Sequence, residues 1–468
     1  MTQTDTLATA DAILALAMAG DLAMGQPAGH SRRVAQLAAC MAEDAGPEAV
    51  ATARLVGLLR WSGSTASAGG FARLLGDDVA GRSAMLARTL PRPHPLTFSR
   101  VAPLARTQCE VAVLVARTLA LPAAAQDGLR HAFEHANGGG LPDRLRGEHV
   151  PAAVYHVALA GDLDVLSRAH GVDEALRRIG RLADRKYPAE LVRCHAPHLR
   201  DWLAMPPDEA AVPAGGATRL TLVADVVELK LPWLAGYARR VAAVACKAAA
   251  LAGLPEAEQR EIGRAALLHG IGRAAVPNTI WERPDRLRKA HWAAVRRAPY
   301  WTARLATQVP ALAEEAHLAA HAYERLDGSG YFRGLRGDML EPAHRLLAAA
   351  AAWTALCAPR PWRAPYEPAA AAALLAAQAG RFDRRAVEAV IAAASTLRPA
   401  PPRRAGPLSD REIEVLRRIG RGEGTPAVAR ALRISTGAVR THLDSIFGKL
   451  ECSSRPAAVL QALSAGLL

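Results

Sequence analysis

The residues of this chain best able to do chemistry sit in three short stretches. In LLHGIGRAAVP (267–277) the imidazole of His269 follows an apolar run and is itself followed by Gly270. In HAYERLDGSGY (321–331) His321, Tyr323, Glu324 and Asp327 stand ahead of a glycine loop. In CHAPH (194–198) Cys194 and His198 are four apart, a conceivable pair of soft-metal ligands with no further partner in the sequence. An imidazole can hold a metal or move a proton near neutral pH, and two carboxylates can act as acid and base in a hydrolysis. With no nucleophile beside them, Glu324 and Asp327 read as caps of a loop in which Gly328 and Gly330, like Gly138 and Gly140, supply positive φ. Cys194 and His198 read as a helix face.

The elements that must position these groups are helices. The chain has 468 residues, 51% of them apolar and only 4% aromatic, so each of about three domains can bury a core of small side chains. The expected fold class is all-α. Six scattered cysteines form no Cys-x-x-Cys pair, which argues against a disulfide framework and fits a reducing, cytoplasmic setting. No signal-peptide pattern opens the chain, and the longest uncharged run, about 346–359, is too short to span a bilayer, so no membrane partner is expected. A formal charge of +14 favours an anionic partner.

Two stretches rich in Pro, Gly and Ala, 205–218 and 397–407, read as linkers and divide the chain into 1–204, 219–396 and 408–468. The first two parts look duplicated. HSRRVAQLA from His30 answers YARRVAAVA from Tyr237, RLVGLLRWSG from Arg54 answers RAALLHGIG from Arg264, and HAFEHANGGGL from His131 answers HAYERLDGSGY from His321. The order is preserved. Within each copy apolar residues recur at helical spacing, as at Val241, Val244, Ala248 and Leu251.

These blocks resemble the HD-GYP domain, a helical metal-dependent phosphohydrolase module whose active members cleave cyclic dinucleotides. ERLDGSGYFRGLRGD (324–338) follows that family's glycine loop with Phe332 in place of proline, RPWR (360–363) is similar to its Arg-Pro-Tyr-Arg, and LLHGIGR resembles its Leu-Leu-His-Asp-Ile-Gly-Lys. The resemblance implies a two-metal centre of histidines and bridging aspartates. In the second copy the implied ligand positions hold Tyr237, Gly270, Ala298, Ala322, Tyr323 and Ala351, and only His269 stays in register; His321 falls one residue early. In the first copy His30 holds the opening position, but the His-Asp pair reads Arg60-Trp61 and the closing aspartate Gly161. One imidazole per copy falls short of the four to six ligands a divalent ion takes, so the count predicts no metal, no cofactor, no catalytic residue and no reaction in either copy. The expected remnant is a cleft near His269, Gly270, His321, Tyr323 and Glu324, with His30 its counterpart, open to a small molecule or nucleotide.

The last sixty residues read differently. SDRE (409–412) is a capping box, and Ile413, Leu416 and Ile419 form an apolar stripe. Thr425 reads as the cap of a short helix, and Ser435 opens another with Val439, Leu443, Ile446 and Leu450 on one face. This stretch resembles the LuxR-type helix-turn-helix output domain, with 435–450 as recognition helix. The resemblance and the exposed face assign Thr425, Ser435, Thr436, Gly437, Arg440, Thr441, His442 and Lys449 to DNA. From Arg403 onward eleven Lys/Arg stand against six Asp/Glu, a net +5 that suits phosphate contact. The sequence thus predicts a DNA-binding transcriptional regulator, acting on duplex DNA as a homodimer, with two HD-GYP-like domains as sensory or dimerisation body. The alternatives are a metal-dependent cyclic dinucleotide phosphodiesterase with an unorthodox site, and a structural scaffold.

Overall fold

The structure, a computed structural model, describes residues 5–91, 94, 96–207, 212–397 and 408–468. It is all-α: among the described residues the only strands are Thr6–Ala8 and Ala217–Arg219, which pair. No described helix is long and apolar enough to cross a membrane. Contacts divide the chain into Leu7–Thr218 and Arg219–Leu468, the second including the chain start to Thr6. The division falls at the end of the 205–218 stretch; residues 208–211 of it, and 398–407 of the second expected linker, lie outside the described residues.

The two units repeat one plan. In the first, His30–Met41 packs between Pro47–Leu59 and Ala152–His170; in the second, Tyr237–Leu251 packs between Glu256–Leu268 and Pro342–Cys357. Each central helix begins after a left-handed glycine, Gly29 at φ 93° and Gly236 at φ 67°. Its first N–H groups are satisfied by a buried acid from the preceding helix. Asp21 accepts from the Gly29 and Ser31 N–H groups, and Glu228 from those of Tyr237 and Ala238. Burial is the main force on both carboxyls, lifting Asp21 to about 7 and Glu228 to about 8 against the donors that hold them. Along the second central helix Val241, Val244 and Ala248 are buried, but Leu251 is 51% exposed because the helix ends there and its last turn leaves the core.

The glycine loops also match. Gly138 and Gly328 take positive φ, with Arg146 and Arg336 lying where a β-carbon would stand. Gly140 and Gly330 do not take positive φ as expected. A β-carbon on either would meet the backbone of Glu134 or Glu324 at 2.4 Å, so these glycines permit close approach.

The C-terminal helices Asp410–Gly420, Thr425–Leu432, Thr436–Lys449 and Arg455–Ala465 belong to the second unit. The first and last of them pack against residues of 221–234.

Candidate functional site

His269 caps the Glu256–Leu268 helix and is 1% exposed. Its Nδ1–H donates to the Ala266 carbonyl at 2.6 Å, which leaves Nε2 to accept from Arg273 Nη2 at 3.0 Å. Arg273 Nη2 also donates to the Tyr323 hydroxyl at 2.6 Å, and the guanidinium lies over the Tyr237 ring, 5.1 Å from its centroid. Burial, reinforced by the Arg273 charge, lowers the imidazole to about 3, so it is neutral at physiological pH. A cavity of about 200 Å³ opens beside this group. Five of the six replaced ligand positions, Tyr237, Ala298, Ala322, Tyr323 and Ala351, line it. Trp233, Trp281, Tyr331 and Trp362 add aromatic wall, Arg273, Arg325 and Arg360 add charge, and small aliphatic side chains complete the lining. Trp233 Nε1, Arg273 Nη1 and Arg360 Nη1 are buried donors without a partner.

This lining does not fit a two-metal centre. It contains no carboxylate among the described residues, and a guanidinium faces the one retained imidazole. The cleft expected from the sequence is only partly assembled. Tyr323 lines the cavity, His269 lies against Tyr237 and Tyr323 and Gly270 adjoins, but Glu324 turns away. Its carboxylate accepts from the N–H groups of Arg333, Gly334 and Leu335 and closes the glycine loop, while Asp327 accepts from Ser329 N–H. His321 faces His317 and His344 instead.

His30 has its own surroundings in the first unit. Its Nδ1–H donates to Asp164 Oδ2 at 2.6 Å, its Nε2 accepts from Arg60 Nη2 at 2.8 Å, and its ring stacks on Trp61. Burial lowers it to about 4 despite Asp164. Both units therefore pair a neutral histidine with a buried arginine. Cys194 and His198 form no ligand pair: the thiol donates to Glu190, and His198 stacks on Trp202.

In the C-terminal helices Ser409 and Glu412 form the expected capping box, and Ser435 accepts from Ala438 N–H. Arg433 at φ 54° makes the turn between the two central helices. Val439, Leu443, Ile446 and Leu450 are buried, while Thr436, Gly437, Arg440 and Thr441 are exposed and His442 is half-buried. One residue differs from its expected role as a cap. Thr425 is the first helical residue, with Gly424 at the cap, and its hydroxyl accepts from Arg455. The Lys449 ammonium donates to both Glu412 oxygens, at 2.9 and 2.8 Å. Burial would raise Glu412, but the bonds from Lys449, Ser445 and Ser409 hold it at about 2.

The sequence missed Arg273, Arg360, Trp233, Asp164, His317 and His344. Arg273 had a signal: it stands four residues after His269, where the HD-GYP pattern carries lysine.

Comparison with known proteins fits this architecture. Residues 221–386 match the HD domain family, and residues 406–462 match the bacterial regulatory proteins of the luxR family. The chain carries an HD domain and a C-terminal LuxR-type helix-turn-helix domain. It is 31% identical over 279 residues to the 3'3'-cGAMP-specific phosphodiesterase 3 of Vibrio cholerae, covering 56% of this chain and 61% of that protein. It is 31% identical over 235 residues to the cyclic di-GMP phosphodiesterase response regulator RpfG of Xanthomonas campestris, covering 50% and 62%. The C-terminal 61 matched residues are 44% identical to the probable transcriptional regulatory protein NarL of Mycobacterium tuberculosis, covering 13% and 28%. The chain thus spans about three-fifths of the first two relatives. A solved cyclic GMP-AMP-specific phosphodiesterase of V. cholerae shares the fold, with TM-score 0.58 and 22% identity over 84% of this chain and 99% of that one. These relatives correct the expectation that the chain is no enzyme: proteins this similar in sequence are phosphodiesterases, and missing ligand positions do not outweigh that likeness.

Proposed function

We propose that the chain is a DNA-binding regulator whose HD domain takes a cyclic dinucleotide into the cavity beside His269 and hydrolyses it at a site unlike a two-metal centre. The observation that carries this reading is the set of three buried, unpartnered donors, Trp233 Nε1, Arg273 Nη1 and Arg360 Nη1, around one aromatic cavity. Buried donors without acceptors are costly, and an anionic ligand relieves that cost. Guanidinium forks match phosphodiester oxygens, and Trp and Tyr faces stack bases. At about 200 Å³ the cavity is smaller than the roughly 300–1,000 Å³ of common ligand clefts. It accepts one base or phosphodiester while the rest of the ligand extends through the mouth. In that hydrolysis water adds to the phosphorus and one ester P–O bond breaks, leaving a linear product with a free hydroxyl, and fixed arginine charge stabilises the negative charge that develops on the phosphodiester oxygens. On this reading the protein is cytoplasmic and acts as a homodimer on two DNA half-sites.

The test is calorimetry of the full chain with cyclic di-GMP and 3'3'-cGAMP, with chromatography of the products. Binding lost in Arg360→Met, accompanied by linear product from the wild type, is expected. Failure to bind either nucleotide overturns the reading, and binding without product overturns its hydrolytic part.

A further inference from the structure

A second cluster lies outside the cleft and shares no lining residue with it. The helix Ala313–Ala320 carries His317, and His321 caps its C-terminus one turn on, so both imidazoles fall on one face. Pro342–Cys357 brings His344 in its first turn against them. The ring centroids of His317 and His344 each lie 4.6 Å from that of His321, with the rings steeply crossed. One ligand atom from each of the three falls within 4.8 Å of the others.

We propose that His317, His321 and His344 form a binding site for a divalent transition ion of the zinc, cobalt or nickel type. His321 carries the argument. It is 2% exposed, its Nδ1–H donates to the His317 carbonyl at 2.8 Å, and its Nε2 is buried without a partner. A metal-ligating histidine commonly has this arrangement, with one nitrogen fixed on a carbonyl and the other left as a lone pair. Imidazole sets suit zinc, copper, iron and nickel, and three such ligands leave a fourth position open. His317 and His344 also line a cavity of about 410 Å³ together with Glu258, Glu261, Glu314 and Glu341. Burial and the neighbouring glutamates raise the Glu261 carboxyl, which reflects crowded negative charge where a cation would be drawn in. His344 accepts the Glu341 N–H at Nδ1, so coordination through Nε2 requires a tautomer shift that gives up this bond. Glu341 is exposed, and its N–H can turn to water.

The test uses the untagged full chain, stripped with chelator and then loaded with Zn²⁺ or Co²⁺. About one ion per chain should survive gel filtration, and Co²⁺ should give the intense visible bands of a four-coordinate nitrogen site. His317→Ala, at an exposed position, and His344→Gln should each weaken binding by at least the about 10- to 100-fold that follows loss of an outer partner. Unchanged helical circular dichroism in His317→Ala shows that folding is not the cause. Absence of retained metal and Co²⁺ bands, or affinity unchanged in both variants, overturns the site. Neither result bears on the nucleotide cavity.

Discussion

Arg273 and His269 are joined side chain to side chain: a guanidinium N–H points at the imidazole Nε2 from 3.0 Å and, through the same nitrogen, reaches the Tyr323 hydroxyl. The first unit repeats the relationship with Arg60 and His30 at 2.8 Å. Arg60 holds the position that aligns with His269 itself, so the pairing recurs although the positions carrying it differ.

Arg273→Met should therefore act twice. It leaves His269 Nε2 and the Tyr323 hydroxyl without their donor, costing about 1–3 kcal/mol in denaturant unfolding. It also removes the deepest positive charge from the cavity, and cyclic dinucleotide affinity should fall about tenfold or more in calorimetry. A lower stability with unchanged affinity would separate the guanidinium from ligand binding and count against the cavity as the nucleotide site.

The buried acids predict a pH effect of definite sign. Burial raises Asp21 from 3.8 to about 7, so the folded state holds its proton more tightly than the unfolded chain. The resulting stability is fully present below about pH 3.8 and is lost as pH rises through 7. His30, lowered to about 4, works in the opposite sense: its contribution is present above pH 6.5 and is lost as pH falls through 4. Asp21→Asn removes only the first effect. Between pH 4 and 7 the stability of wild type relative to Asp21→Asn should decline and then level off above about pH 8. A difference that stays constant across this range in thermal melts of the full chain would contradict the assignment.

Glu412 makes the converse prediction for the C-terminal helices. Its carboxyl, held at about 2 by Lys449, Ser445 and Ser409 against burial, contributes stability that is present above pH 4.5 and lost as pH falls toward 2. Lys449→Met should destabilise by about 1–3 kcal/mol, because it strips a charged donor from a buried carboxylate. DNA affinity measured well below the melting temperature should change less than in Arg440→Ala. The reverse order would favour Lys449 over Arg440 as a DNA contact.

The C-terminal helices were legible because their signals are local: a capping box spans four residues, and one apolar face repeats every three or four. The duplication was legible from blocks in a conserved order, and the structure adds what no block showed, a buried acid seating each central helix. The cleft was half legible. His269 stands out in its motif, but Arg273 and Arg360 meet across 87 positions and are brought together only by the fold. His317 and His344 lie on different helices 27 positions apart, and His321 was weighed against the cleft when its ring faces the other way. Spacing along one helix predicts a shared face, whereas it carries no information about which helix will cover that face.

Arg440 is exposed on the helix Thr436–Lys449, about a quarter-turn round it from the buried Val439, Leu443 and Ile446. Gly437 beside it has no side chain, and Thr436 and Thr441 extend the same exposed surface, so this face can approach a duplex closely. If Arg440 reads a guanine edge, Arg440→Ala should cost about 1–3 kcal/mol and relax the preference at that one base pair. If it holds a phosphate, binding should weaken alike on all sequences, and the dependence of log affinity on log salt should become shallower by about one. Fluorescence anisotropy of the full chain on duplex DNA from its own upstream region, across a salt series, distinguishes the two. Affinity and salt slope both unchanged in Arg440→Ala would exclude this helix face as the DNA-reading surface.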